Sequence, residues 1–307
     1  MPTFNRLQYL RAAIDSVFAQ TFADWELIVA DDGSEGETVD YLAAMANPPR
    51  VQVLQLPHTG RPGAVRNAAW RAARGEYIAF LDSDDVWLPE KLALQVAALR
   101  SNPQYGWSHT AFAVIDESGQ LLAGARARSW PATEGWILES LIRLESVIAM
   151  PSVLVTRQLL EQLGGFDPEQ RACEDYDLYL RLAGLSAIQG VRETLVLVRS
   201  HGERYHNACM VYEGRARALA KLLAASTDRS QQSLIRRENA KVATALARIQ
   251  AADGGRSAAL RTLIKSSRDA WVYPEWWLRG AVAVARAVAP AGVVRVARVV
   301  VGRGRSH

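Results

Sequence analysis

Three short acidic runs stand where an apolar stretch ends or a helix begins, and each places carboxylates where they can act together. Asp82-Ser83-Asp84-Asp85 follows the apolar run Tyr77 to Leu81. Carboxylates at i and i+2, freed from strand alternation by a turn, can face one Mg2+ or Mn2+ ion that keeps positions open for diphosphate oxygens. The plainer alternative is an Asx-turn with solvated acids, in which Asp85 caps the next helix. Asp31-Asp32-Gly33-Ser34 closes the run Trp25 to Ala30. An Asp there can accept from a base imide or a ribose hydroxyl, or serve only as a turn residue. Glu174-Asp175 opens a helical stretch. The helix dipole keeps acids ionised there and able to act as a base, although charge complementation alone explains them as well. Gly63-Ala64-Val65-Arg66-Asn67, preceded by His58-Thr59-Gly60-Arg61, puts an arginine at a helix start. That is a ready anion site or a solvated basic face.

The elements that must position these residues follow from periodicity. Leu7, Leu10, Ile14, Val17 and Phe18 have helical spacing over 7–18. Strands are predicted at 25–30, 51–56 and 77–81, and helices at 64–74 and from Pro89 through Arg100. A hairpin is expected over 107–123 around Glu117-Ser118-Gly119. Helices at 156–163 and 174–182 and a strand at 191–198 complete the first part. Short apolar strands alternating with helices predict an α/β fold with a mostly parallel sheet, in which ligands sit beyond the carboxyl ends of the strands. Both Asp-rich turns fall at such ends. The chain opens at Pro2, where a first strand would be ending, so the sheet is expected to lack that strand unless the start is misassigned. After residue 210 the texture becomes Ala, Arg and Leu, with amphipathic helices over 214–225, 234–251 and 256–270.

Composition narrows the class. The chain has 307 residues, 49% hydrophobic and 22% charged, which excludes a disordered or collagen-like chain. Cys173 and Cys209 show no CxxC or zinc spacing, which points to a reducing compartment. Met1 runs directly into Pro2-Thr3-Phe4-Asn5-Arg6, so no secretory leader is expected, and no 18-residue apolar run predicts a spanning helix. The net charge of +4 conceals an asymmetry: residues 207–307 carry 18 Lys/Arg against 6 Asp/Glu, leaving 18 against 26 in residues 1–206. No GxxxxGK[ST], HExxH or GxSxG is present, which removes support for kinase-like, zinc-protease and esterase readings.

Taken in order, Pro2 to Arg6, Asp31 to Ser34, Gly63 to Asn67, Phe80 to Asp85, Gly164-Gly165-Phe166-Asp167 and Glu174-Asp175-Tyr176-Asp177 resemble the family 2 glycosyltransferases of GT-A fold. The similarity covers about residues 2–205. It implies an inverting transferase that uses a nucleotide-diphospho-sugar donor and a divalent metal, Mg2+ or Mn2+. By position, Asp32 would contact the nucleobase or ribose, Pro2 and Thr3 would line the nucleotide pocket, and Arg66 would approach the base or phosphates. Asp82 and Asp84 match the DxD motif, with Asp84 the direct metal ligand, and Asp175 matches the expected catalytic base. Arg199-Ser200-His201 falls where many members carry an Arg-x-His, so His201 either touches metal or diphosphate or is a surface or packing residue. The motif of processive synthases, Gln-x-x-Arg-Trp, is absent, which favours one sugar per encounter.

The acceptor end is expected to draw on residues 126–150, with Trp130, Trp136 and Met150, and on Glu174; a tryptophan stacks on a sugar face or fills a core. The division expected is a transferase domain over 1–206, a helical appendage over 207–270 and a basic amphipathic tail over 271–307. In that tail Trp271, Tyr273, Trp276, Trp277 and Arg279 suit either an interfacial helix on an anionic leaflet or a cap packed on the protein. A glycan or lipid-linked acceptor in bacterial surface-glycan assembly, and a cytoplasmic location peripheral to the inner membrane, fit the first choice. Nucleic acid is not an expected partner, because no recognised module is present. The competing function is a nucleotide-sugar binder or scaffold that lost catalysis with its first strand. A sugar nucleotidyltransferase is disfavoured, since no glycine-rich loop with a following arginine and lysine stands near the start.

Overall fold

The computed structural model describes residues 1–46, 50–122, 129–201, 208–274, 276–278 and 280. Two compact units divide the chain, Met1–Tyr205 and His206–His307.

The first unit begins with β1 (Pro2–Thr3) and α1 (Leu7–Phe18), whose Leu10, Ala13, Ile14 and Val17 are buried at helical spacing. β2 (Leu27–Asp31), α2 (Glu37–Met45), β3 (Val51–Gln55) and α3 (Pro62–Ala72) follow. Next come β4 (Tyr77–Ala79), β5 (Val86–Trp87), α4 (Lys91–Ser101), β6 (Trp107–Ile115), β7 (Ser129–Trp130) and α5 (Leu138–Ile142). A 3-10 turn at Met150–Ser152 leads into β8 (Val153–Thr156), α6 (Arg157–Leu163), α7 (Glu174–Leu185) and β9 (Ile188–Arg199). Thr156 caps α6 by accepting from the Leu159 N–H, and Gly164 ends it at φ +72.

The α/β class holds, but the sheet is mixed rather than mostly parallel. Strands β1-β2-β3 form one parallel sheet, and the second sheet has the order β4-β8-β6-β9-β5 with β7 on β6. In that second sheet only β6 and β9 run parallel; the other pairs are antiparallel. The cause is that strands buried on both faces read as plain apolar runs whichever way they point. Of the first strand, expected to be lacking, two residues pair at its end: Pro2 with Ala30 and Thr3 with Asp31. Met1 extends that ladder, its N–H group donating to Ile28 O at 2.8 Å and its carbonyl accepting from Ala30 N–H at 2.9 Å. The hairpin also appears, with Asp116 O accepting from Gly119 N–H and an Ile115–Leu121 bridge.

Between β2 and β4 the two sheets part around a cavity of about 670 Å3 lined by Leu27, Ile28, Ala69, Tyr77 and Ala79 among others. Two stitches close it at the ends. Glu26 accepts from the Gly75 N–H at 3.0 Å and from the Arg74 side chain at 3.1 Å, and Arg66 of α3 donates to Asp82 just after β4. Gln20 joins α1 to the following layer, donating to Leu88 O at 2.8 Å and accepting from Leu92 N–H at 3.0 Å. Lys91 is wholly buried, donating to Gln95 Oε1 at 2.7 Å over the Trp87 ring, and burial pushes its pKa well down.

In the second unit α8 (Ala208–Ala225), α9 (Arg229–Ala252) and α10 (Arg256–Ala270) pack around Ala240, Ala247, Ala251, Ala259, Leu263, Ala270 and Trp276. Asp228 caps α9, accepting from the Ser230 N–H at 2.7 Å and the Gln231 N–H at 3.3 Å. Gly254, at φ +85, makes the turn into α10. Within the expected tail, Tyr273 donates to Ser233 O at 3.0 Å and Trp276 to Ser266 Oγ at 3.1 Å, so both rings pack inward. Trp271 and Trp277 stay exposed. Arg279 and the Val/Ala-rich stretch from 281 on lie outside the described residues, and among the described ones no helix is long and apolar enough to cross a membrane.

Candidate active site

The end of β2 builds the first wall. Asp31 accepts from the Ser34 N–H at 3.2 Å and from the Ser34 hydroxyl, and Ser34 Oγ in turn accepts from the Asn5 N–H at 2.8 Å. Asn5 adopts φ +48, which its short polar side chain tolerates, and its Oδ1 accepts from Glu35 N–H at 2.9 Å. Asp32 is buried and holds the 58–60 loop. Its Oδ1 accepts from the Thr59 N–H at 2.8 Å and the Thr59 hydroxyl at 2.9 Å, and its Oδ2 from the Gly60 N–H at 2.8 Å. Gly33 has φ +82, and an added Cβ would stand 3.0 Å from His58 N. That loop lays the His58 ring on Phe4, centroids 4.2 Å apart. Pro2 is half-buried and Thr3 buried, and the Thr3 hydroxyl has no hydrogen-bond partner among the described residues.

The turn after β4 forms the second wall. Asp84 Oδ2 is bound by Arg6 Nη1 and lies 2.7 Å from His201 Nε2. Asp85 is buried and accepts from the Arg199 N–H at 2.7 Å; it does not cap α4, whose N-cap is Glu90. Burial, and then the charges of Asp82 and Asp84, push the Asp85 carboxyl well up. The Arg199 side chain donates to Asp84 O at 2.8 Å and lies over the Tyr9 ring, beside which His201 also stands, centroids 5.2 Å apart.

Arg66 joins the second wall to the third. Its guanidinium, 7% exposed, donates to Asp82 Oδ1 at 2.6 Å and to Glu174 Oε1 at 2.7 Å. Burial alone would lower its pKa, but the charges and bonds of both carboxylates hold it up. Arg66, expected near the base or phosphates, spends both Nη groups on two acids, and its buried Nε has no partner among the described residues. Glu174, expected on the acceptor side, has Oε1 on Arg66. Asp175, the next residue of α7, accepts from the Tyr176 N–H at 2.7 Å. Its surface remains partly open while protein atoms crowd it on the other sides. Burial, followed by the adjacent Glu174 charge, raises its pKa to about 6 against the opposing pull of Arg66. Asp177 points away to Arg181, with contacts of 2.8 and 3.0 Å.

The acceptor residues divide. Trp136 is 72% exposed, whereas Trp130 lies on Phe112 with centroids 6.2 Å apart and Met150 is buried, both in packing roles. Residues 126–128 of that segment lie outside the described residues. Sequence reasoning missed Arg6, Asn5, Phe4 and His58 as contributors. Arg6 was visible as a cation between an Asn-containing turn and a helix. The Phe4–His58 stack joins residues 54 positions apart and left no local signal.

Asp84 and His201 bring a carboxylate oxygen and an imidazole nitrogen together, donor types that divalent cations take, while the same Oδ2 is held by the Arg6 guanidinium. Among the described residues no group of three or more His, Cys, Asp or Glu is placed to hold a metal ion.

Residues 1–133 match the sequence model described as Glycosyl transferase family 2. Those residues form a family 2 glycosyltransferase domain. An uncharacterized glycosyltransferase of Nostoc is 30% identical over 209 residues, which are 66% of this chain and 64% of that protein. The match spans a little under two-thirds of that protein and of a Rickettsia prowazekii relative, and about a third of longer relatives matched over the same stretch. An Escherichia coli UDP-Glc:alpha-D-GlcNAc-diphosphoundecaprenol beta-1,3-glucosyltransferase is 37% identical over 102 residues, 33% of this chain and 40% of that one. The crystal structure of Staphylococcus aureus TarS 1–349 aligns with a TM-score of 0.67 at 20% identity, covering 93% of this chain and 87% of that one. That likeness shows the fold, an α/β GT-A type followed by helices. The same TarS fragment has been solved in complex with UDP-GlcNAc, and there the TM-score is 0.57.

Proposed function

We propose that the protein transfers one sugar from a nucleotide-diphospho-sugar to a hydroxyl of a glycan or lipid-linked acceptor, with inversion, in bacterial surface-glycan assembly. The observation that carries the reading is the Arg66 bridge, which ties the Asp82–Asp84 turn to the helix start bearing Asp175. Donor, metal and base can then meet in one cleft. Two UDP-sugars, one in the name of the E. coli relative and one bound in the TarS complex, support a nucleotide-sugar donor. The diphosphoundecaprenol acceptor of the E. coli relative supports a lipid-linked one and work beside an anionic membrane.

In this reading the base and ribose enter the wall made by Pro2, Thr3 and Asp32, with the Phe4–His58 stack beside it. Asp84 and His201 would hold Mg2+ or Mn2+, which would supply charge neutralisation at the departing diphosphate. Arg66 keeps Asp82 and Glu174 in place. Asp175 takes the acceptor's hydroxyl proton as the oxygen bonds to the anomeric carbon and the bond from that carbon to diphosphate breaks. General-base help of this kind is worth roughly 10²–10⁴ in rate. A pKa near 6 leaves Asp175 ionised at pH 7 yet basic enough to receive a proton.

The test is thermal stabilisation by UDP-, GDP- and dTDP-sugars with and without Mn2+, in wild type and Asp84→Ala. Ligand at about 100 times its Kd adds about 2.7 kcal/mol. A Mn2+-dependent shift with one nucleotide, lost in the variant, is expected. Absence of a shift with every donor in a folded sample sinks the reading.

A further inference from the structure

The outward face of α10 carries a pattern that its packing does not use. Ala259, Leu263 and Ala270 face the helical core. One position further round stand Leu260, Ile264 and Trp271, with exposures of 39%, 70% and 62%. One position beyond Leu260 and Ile264 come the exposed Arg261 and Lys265, and exposed Arg268 falls on the same side. At about 3.6 residues per turn these sets form three parallel stripes: core, exposed apolar and basic. The apolar stripe continues past the helix into Val272, Trp277 and Leu278, exposed by 56%, 58% and 74%. The Trp277 indole N–H is already bonded to Trp271 O at 2.7 Å, so the ring offers an apolar surface with no idle donor. Basic residues in 256–270 are four, against one acid, Asp269.

We propose that this face of α10, with the 271–278 turn, docks in the headgroup region of an anionic lipid leaflet. Leu260, Ile264, Trp271, Trp277 and Leu278 would enter the acyl boundary while Arg261, Lys265 and Arg268 meet lipid phosphates. The charge pattern decides for lipid over a protein groove. The cations run alongside the part of the apolar stripe that lies on α10, as at an interface where apolar depth and anionic headgroups are adjacent. Aromatic rings at one end suit the headgroup level. The proposal deepens the membrane contact named under Proposed function by assigning it to residues. It is read without any donor sugar, so either idea can fail alone.

The experiment is co-sedimentation of the full chain with phosphatidylcholine vesicles and with vesicles containing about 30% phosphatidylglycerol, at low salt and at about 0.5 M NaCl. Two variants are compared: Ile264→Glu/Trp271→Glu, and Lys265→Glu/Arg268→Glu. Both change exposed positions, and melting curves verify that each is folded. Wild type should bind the anionic vesicles and weaken with salt, and each variant should lose at least about tenfold in partitioning. Failure of wild type to bind anionic vesicles overturns the proposal. Undiminished binding by both variants also overturns it, because residues 281–307 would then carry the contact. Self-association of wild type by sedimentation velocity, abolished by Ile264→Glu/Trp271→Glu without lipid binding, would assign the face to a second copy of the chain.

Discussion

Replacing Arg66 by methionine tests the architecture of the site most directly. The substitution keeps much of the side-chain length and removes two charged hydrogen bonds, to Asp82 Oδ1 at 2.6 Å and Glu174 Oε1 at 2.7 Å. A hydrogen bond to a charged group contributes about 1.5–3 kcal/mol. Glu174 is 13% exposed and left nearly stranded, so its share stands near 2 kcal/mol by that scale. Asp82 is 28% exposed and regains water, so its share falls to about 1 kcal/mol. The sum is about 3 kcal/mol, or roughly 6–12 °C in Tm for a unit of this size. Arg66→Lys keeps the charge but cannot fork to both acids, and should lose about half as much. A second readout separates this strut from mere packing. Arg66 opposes the rise in the Asp175 pKa, so its removal must carry the acidic limb of the pH–rate profile above about 6. Melting curves at pH 7.5 and transfer rates across pH 5 to 9 are the assays. A methionine variant within about 0.5 kcal/mol of wild type, with an unmoved acidic limb, would refute the reasoning.

Asp175→Asn should cut transfer by roughly 10²–10⁴ with the donor Kd from calorimetry nearly unchanged. In wild type, kcat/KM should rise with pH through about 6 as Asp175 loses its proton and stay level above it. The same raised pKa means the folded chain holds this proton longer than the unfolded one. Wild-type stability should therefore decline from about pH 4 to 6, and the asparagine variant should lack that component in urea melts. Gly165→Ala should cost about 2–4 kcal/mol in the same melts: φ is +78, and the added Cβ would sit 2.5 Å from Asn67 Oδ1 and 2.6 Å from Trp70 Nε1. Gly164→Ala, at φ +72 with open space around it, should cost only about 1 kcal/mol.

Most helices and the two acidic turns were legible because their signals are local. Leu10, Ile14 and Val17 announce α1, and Thr156 with Gly164 brackets α6. Strand direction was not legible: Val153–Thr156 reads the same parallel or antiparallel, and its partners lie 44 to 79 residues away. The two-residue β1 shows the opposite limit, since its ladder depends on backbone bonds that no residue type specifies. In the site, residue types predicted which groups gather, but not their pairing. Arg66 had the composition of an anion ligand and was given to two protein carboxylates instead, a choice made by the meeting of α3 with α7. Likewise Trp130 and Trp136 are the same residue in one segment, and only tertiary packing separates a core ring from an exposed one.

The parted sheets make the first unit a structure with a seam. Among the described residues β4 has one strand partner, β8, so the amides and carbonyls on its other side meet the cavity. The wall of Pro2, Thr3 and Asp32 belongs to one sheet, and the Asp82–Asp84 turn follows a strand of the other. In the proposed reading, opening of the seam would separate base from diphosphate. Local openings of this kind lie low on the ladder of hydrogen-exchange free energies. A bound donor, spanning both walls, would act as a third stitch beside Glu26 and Arg66 and slow exchange along Tyr77–Ala79.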